Sequence, residues 1–387
     1  ILDTLNEFNV YNHIHDLVVE IKDYKQNLPD SLNTISFEKL NLSTKKGSIA
    51  INNISLTPRV AKYYYANIVG HQVGWHSLQN IDISIDQLDV FKMLSEKVLH
   101  VQKIKASNGV LDIFKDKELP IPVNQRRPML QDMIRNIDLP LKIDSIEVEN
   151  FRINFSSRLS SKMPEGALDF YELEAQMTNL VNIDSAISKN AKLNIKASAK
   201  IMNKGLLTTN FDFDMGDENN PFSFDAHLTT MSATEFNSVL EALAFVSIES
   251  GTVKELSMQA TGDNYYATGN MKFLYNDLKV STINKKNLKT KGMGKVMKTF
   301  FANAFVVKKN NPGFKFFPRD GAMYYERDPQ KIIIDYVTKT ALSGVVSSIG
   351  ARNARKDIKR IQKESKKQKD AERKALKKAE RRAVPIP

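Results

Sequence analysis

Apolar and polar residues alternate with a period of two over most of the chain, which is the pattern of β-strands with one apolar face. The clearest stretch is Gly251–Ile283, where Leu256, Met258 and Ala260 alternate with Ser257, Gln259 and Thr261. After Gly262-Asp263-Asn264 the pattern resumes with Gly269, Met271, Phe273 and Tyr275, and again with Leu278 and Val280. The small, turn-forming residues between the two runs predict an antiparallel hairpin. Leu193/Ile195/Ala197/Ala199/Ile201 and Leu207/Thr209/Phe211/Phe213/Met215 alternate as cleanly, and further strands are expected around 168–180 and 222–230. Short turns between these runs favour an antiparallel meander.

A unit of two short alternating segments recurs from Ser36 onward. Val101, Ile104, Ala106 and Asn108 align with Ile143, Ile146, Val148 and Asn150 at an offset of 42, and more loosely with Phe37, Leu40, Leu42 and Thr44. Such self-similarity suggests stacked copies of one β unit. Prolines 120, 122 and 128 interrupt the pattern, so this region reads as a surface excursion with a short helix between Met129 and Ile137. Residues 1–28 suit a helix or a strand, the strand being favoured by the β pattern from Ser36 onward. Near the end the period changes: Ile333, Tyr336, Val337, Ala341, Gly344, Val345 and Ile349 recur at helical spacing and predict an amphipathic helix closing one end of the sheet.

The expected fold is mostly β, an elongated, curved antiparallel sheet of repeated units forming a groove, with a few short helices and a C-terminal helix. The chain divides into four regions: the repeated units over 1–160, a β module over 161–283, a closing β/α segment over 284–350 and a basic tail over 351–387. No apolar run approaches the roughly 20 residues that span a bilayer. The chain has no cysteine, which excludes disulfides and thiolate chemistry.

Of the formal charge of +12, residues 351–387 carry +10, from 15 Lys and Arg against 5 Asp and Glu, so the body is almost neutral. Attraction to polyanions therefore belongs to the tail. The tail has no aromatic residue to stack on bases, which argues against nucleic acid. Two readings stay open, a solvated charged segment and a contact with anionic headgroups or an acidic protein through Arg355, Lys359, Lys363, Lys366 and Lys367.

Catalytic and metal chemistry find little support. His13 and His15, and His71 and His76 beside Trp75, have no companion ligands at metal spacing. Asp212, Asp214, Asp217 and Glu218 lack the order of a cation loop. Gly292-Met293-Gly294-Lys295 lacks the glycine spacing of a phosphate loop, and Leu342-Ser343-Gly344 lacks the first glycine of a nucleophile elbow. A non-enzymatic protein with no cofactor and no metal is expected.

Gly251, Leu256, Gly262-Asp263, Gly269-Asn270-Met271 and Tyr275-Asn276-Asp277-Leu278-Lys279 resemble the C-terminal module of AsmA-like cell-envelope proteins, and MSATEFNSVLEALAFVSIESG resembles its lead-in. LDVFKMLSEKVLHVQKIKASNGVLDIFKDKELPIP, IDSIEVENFRINF, ALDFYELEAQMTNLVN and the segment from Phe300 to Gly350 are similar to AsmA-like proteins of the Bacteroidetes type. The resemblance implies a periplasmic protein held at the inner membrane by an N-terminal segment that this chain lacks. It also implies a curled sheet whose apolar groove conducts phospholipid acyl chains in outer-membrane biogenesis.

Both lines of reading meet on what covers the apolar face. Burying apolar surface is worth about 25 cal/mol per Å², so a long one-sided sheet cannot stay bare. Acyl chains would lie against faces that include Ile143, Ile146, Val148, Ile195, Phe211, Met258, Met271 and Phe273. The alternative is a scaffolding subunit of an envelope assembly, its sheet packed dry and its tail or edges holding protein partners.

Overall fold

The computed structural model describes residues 16–29, 32–122, 125–190, 192–283, 307–314 and 317–350, with 356, 359–361, 363–364 and 367 from the tail. The chain is mostly β and builds one sheet of 15 strands. β1 (Val18–Asn27), β2 (Asn33–Ser43) and β3 (Ser48–Pro58) form a meander, followed by helix α1 (Lys62–Val69). Then come β4 (Gly74–Leu88), α2 (Val90–Ser95), β5 (Leu99–Ser107), β6 (Val110–Asp116), α3 (Leu130–Arg135) and β7 (Leu141–Arg158). β8 (Gly166–Val181), α4 (Asp184–Ile187), β9 (Lys192–Ile201), β10 (Gly205–Asp214) and β11 (Phe222–Leu228) continue the meander. The chain closes with β12 (Met231–Ser232), a 3₁₀ turn and α5 (Asn237–Ala244), then β13 (Val246–Gly262), β14 (Tyr266–Thr282), β15 (Asp320–Glu326) and α6 (Ile333–Ser348). The segment 284–306 and most of the tail, with Arg355 and Lys366, lie outside the described residues.

All pairings are antiparallel except one joint, which corrects the simple meander. β5 and β6 both pair in parallel with β7, Val101 opposite Ile143 and Val110 opposite Arg152. Both registers are offsets of 42 residues, so the sequence repeat is the parallel pairing itself: two copies lie side by side. A parallel joint needs a crossover, and residues 117–140 supply it. This segment is not a surface excursion, because Met129 and Gln131 are fully buried and Ile134 nearly so.

Within the strands the alternation is reset at residues with positive φ. Asp23, Asn53, Asn80, Gln87, Asn150, Glu172, Asn179 and Asp277 have φ between 50° and 63°. Around each, the apolar spacing widens from two to three: Ile51 to Ile54, Val148 to Phe151, Tyr275 to Leu278. An extra residue of this kind is a bulge, and it keeps the apolar side chains on one face while the strand bends. Asn and Asp fill most of these sites because they tolerate the left-handed region best.

The sheet curls on itself. α5 bridges β8 and β13, which are not neighbours: Ser238 Oγ accepts from Ala167 N at 3.0 Å and Asn237 Oδ1 accepts from Ile248 N at 2.8 Å. α6 docks along β14 and β15 through small residues. Ser347 Oγ donates to the Ala322 carbonyl (2.9 Å), and the Tyr324 N–H donates to Ser343 Oγ (2.8 Å).

Candidate functional site

Following the register across the sheet isolates one apolar row. Val19, Leu42, Ile49, Ile85, Ile104, Ile146, Met177, Ile195, Phe211, Phe224, Ala260, Gly269 and Met323 stand opposite one another on successive strands. Ile21, Leu40, Ile51, Ile83, Ala106, Val148, Ala175, Ala197, Thr209, Ala226, Met258, Met271 and Gly321 form a second. Residues paired in this way project from the same side, so the rows are continuous apolar ribbons.

Their burial changes along the sheet. From Leu42 to Phe211 every member of the first row is half-buried, and from Phe224 onward the side chains that remain, Phe224, Ala260 and Met323, are buried. The change has a structural cause. α6 lies over the last strands, with Tyr336 edge-on to Phe222 at 5.8 Å, and Gly344 lets it approach Met323 and Met271. At the ends of β10 and β11, α3 is tied down: Gln131 Nε2 donates to the Pro221 carbonyl (3.1 Å) and Arg135 Nη1 to the Met215 carbonyl (2.9 Å). Together these elements seal a core of Leu193, Phe213, Met215, Phe222 and Tyr336. Over the first half, α2 shields only the Leu88 and Val101 end, through Val90 and Met93.

The expected groove residues therefore divide. Ile146, Val148, Ile195, Phe211 and Met258 remain half-exposed, and Ile143 is buried beside Val101. Met271 and Phe273, at 2% and 7% exposure, belong to the closed core, where nothing can reach them without displacing it. In the tail, Lys359, Lys363 and Lys367 are exposed on a helical segment, and Ile361 packs beside Ala322 and Tyr324.

Three features escaped sequence reasoning. His76 has an exposed ring whose pKa is nevertheless lowered by desolvation. His76 stands opposite Ile113 and next but one to Leu78 on that apolar side. Second, Lys115 alternates with Leu111 and Ile113 and so projects from the same face; burial pushes its ammonium pKa down, and that of Lys117 too. Third, Phe314 and Phe317 stand 96% and 82% exposed on a loop with a rigid base. There Asn311, fully buried, accepts from Arg319 N (2.7 Å), and the Arg319 guanidinium donates to Tyr275 Oη (3.0 Å) and the Asn310 carbonyl (2.7 Å). Only the folded base distinguishes this loop from any other aromatic segment.

Over β5 and β7 to β11 the opposite face is polar. Lys103 pairs with Glu147 (2.7 Å) and Lys105 with Glu149 (2.8 Å), and a shallow depression of about 550 Å³ there is lined by Glu147, Glu174, Lys196, Asn210 and Asp225. The acidic residues near Asp214 form turns, with Gly216 N donating to Asp214 Oδ1 and Asn219 N to Asp217 Oδ1. Among the described residues, no group of three or more His, Asp or Glu side chains is placed to hold a metal ion, and no helix is long and apolar enough to cross a membrane.

The fold and this surface together define a mostly β protein whose sheet is sealed over its later strands and, among the described residues, half-exposed over its earlier ones. Comparison with family models and with curated proteins finds no match.

Proposed function

We propose that the protein holds acyl chains of a phospholipid or a similar amphiphile along the open apolar face of β2 to β10, and catalyses no reaction. The observation that carries this reading is the unbroken half-exposed row from Leu42 to Phe211. Eight neighbouring strands presenting aliphatic, thioether and aromatic side chains match a flexible hydrocarbon chain in chemistry. The AsmA-like resemblance supports the same use, in the periplasm, with the protein held at the inner membrane. Phe314 and Phe317 offer a second contact with a bilayer, since aromatic rings on an exposed tip partition into the interface.

Mass spectrometry of organic extracts from the purified protein tests the proposal. Co-purifying phospholipid or fatty acid, and uptake of a pyrene-labelled phospholipid from vesicles, are expected. A lipid-free protein that takes up no probe would overturn it. That result would favour the scaffolding reading, for which the dry core under α6 is the specific observation.

A further inference from the structure

Helix α1 stands at the ends of β4 and β6 and is held from beneath. Tyr65 and Ala66 are buried, Asn33 Nδ2 donates to Tyr65 Oη (3.1 Å), and Trp75 Nε1 donates to the carbonyl of Val60, just ahead of the helix (3.0 Å). Phe114, opposite Trp75 in the register, takes the Tyr63 ring edge-on at 5.3 Å. The turn between β7 and β8 clamps the helix from the side. Glu165 accepts from Lys62 Nζ (2.8 Å) and from Tyr63 Oη (3.0 Å), and the Arg158 guanidinium lies 4.6 Å from the centre of the Tyr63 ring.

A helix fixed in this way cannot roll its outer side inward. That side carries Tyr64 and Ile68, one turn apart, at 66% and 59% exposure, with Tyr63 beside them at 41%. Large side chains held outward as one stripe mark a contact surface. Cations flank the stripe: Arg59 and Lys62 on the helix side, Arg158 and Lys162 in the clamping turn, with Arg59 and Lys162 exposed. Among the described residues, three carboxylates are bonded to these segments: Glu165 by Lys62, Asp116 by Arg158 (2.6 Å) and Glu118 by the N–H of Ser161 (2.7 Å). Four cations against three carboxylates leave +1, and the two exposed cations make no contact with those three acids. Tyrosine rings settle at the headgroup level of a bilayer, and Lys and Arg there meet anionic phosphates. A convex stripe on one helix presents no groove for a protein segment, but it suits a yielding surface that takes in an apolar face to a depth of about 5–10 Å.

We infer that α1 docks on an anionic bilayer, Tyr64 and Ile68 entering the boundary between headgroups and acyl chains while Arg59 and Lys162 meet the phosphates. This goes beyond the acyl-chain reading, which concerns the apolar rows.

The test uses the full chain and vesicles of phosphatidylcholine, with and without phosphatidylglycerol, whose acyl chains are brominated. Tyr64→Trp adds an indole to native Trp75, the chain's one tryptophan. The anionic vesicles should quench Tyr64→Trp more than the native chain. Tyr64→Ser/Ile68→Ser should weaken flotation with them roughly tenfold at an unchanged melting temperature, because both side chains are mostly exposed. Arg59→Gln/Lys162→Gln should abolish the preference for phosphatidylglycerol. Equal quenching of the two chains, or flotation untouched by the serine pair, would overturn the inference. A dimer in sedimentation that the serine pair dissolves would assign the face to a second copy and overturn it too. Phospholipid in organic extracts without added quenching would reject docking by α1 and leave the acyl reading standing. Added quenching with a protein that retains and takes up no lipid would uphold the docking and reject the acyl reading.

Discussion

Two glycines meet where α6 seals the core, and their substitution should have unequal consequences. A Cβ on Gly321 would fall inside contact distance of the Gly344 carbonyl oxygen and Ser348 Oγ, and at 3.1 Å from the Gly344 carbonyl carbon. A normal carbon–oxygen contact is about 3.3–3.6 Å, so α6 would have to retreat by about 1 Å. That movement stretches the bonds Ser347 Oγ to Ala322 O and Tyr324 N to Ser343 Oγ, both in the buried seam. Overpacking at about 1–3 kcal/mol and one weakened buried hydrogen bond at about 1 kcal/mol put Gly321→Ala at about 2–4 kcal/mol. A Cβ on Gly344 meets Met323 Cγ at 2.6 Å and Met271 Cε at 2.9 Å, so it displaces thioether side chains of the buried core, which re-adjust more readily than the backbone that Gly321 faces. Because alanine also gains about 1 kcal/mol over glycine inside a helix, which offsets part of the overpacking, Gly344→Ala should cost less than Gly321→Ala. Urea unfolding followed by far-ultraviolet circular dichroism should show the midpoint falling further for Gly321→Ala than for Gly344→Ala. Equal midpoints, or the larger loss at Gly344, would refute the account of α6 as a close-fitting seal.

Phe213→Ala, in the closed core, should cost about 3–5 kcal/mol, whereas Ile83→Ala, on the half-exposed row, should cost about 1–2 kcal/mol and instead weaken uptake of pyrene-labelled phospholipid; thermal melts with an uptake assay check both. Arg158 holds Asp116 through Nε (2.9 Å) and Nη2 (2.6 Å) with both side chains largely buried, so Arg158→Gln leaves an unpaired buried carboxylate and should destabilise by about 3–5 kcal/mol in urea titration. Burial opposes ionisation of Asp132, but bonds from Asn220, Arg135 and Met129 N outweigh it and hold the carboxyl below its ordinary 3.8. Its contribution is therefore complete above that value and lost as pH falls through the lower folded pKa, so hydrogen exchange in α3 should accelerate below about pH 4 in the native chain and not in Asp132→Asn. Phe314→Ser/Phe317→Ser should reduce flotation with vesicles without lowering the melting temperature, since neither ring is packed.

The period of two, the hairpin at Gly262-Asp263-Asn264, the strand positions from β8 to β14 and the helix Ile333–Ser348 were all legible in the chain, because each depends on neighbours a few residues away. The offset of 42 was visible too, yet its meaning was not: identical spacing serves stacked units and a parallel pair alike, and only strand pairing chose between them. Residues such as Val148 and Met271 are indistinguishable by alternation, since both occupy the apolar side of a strand. One became half-exposed and the other buried because α3 and α6, remote in sequence, close over the last strands, whereas among the described residues α2 covers one end of the first ones. Local pattern thus determined which side of every strand is apolar, and the long-range docking of two helices decided where that side is sealed and where it stays open, because burial depends on what packs from across the fold.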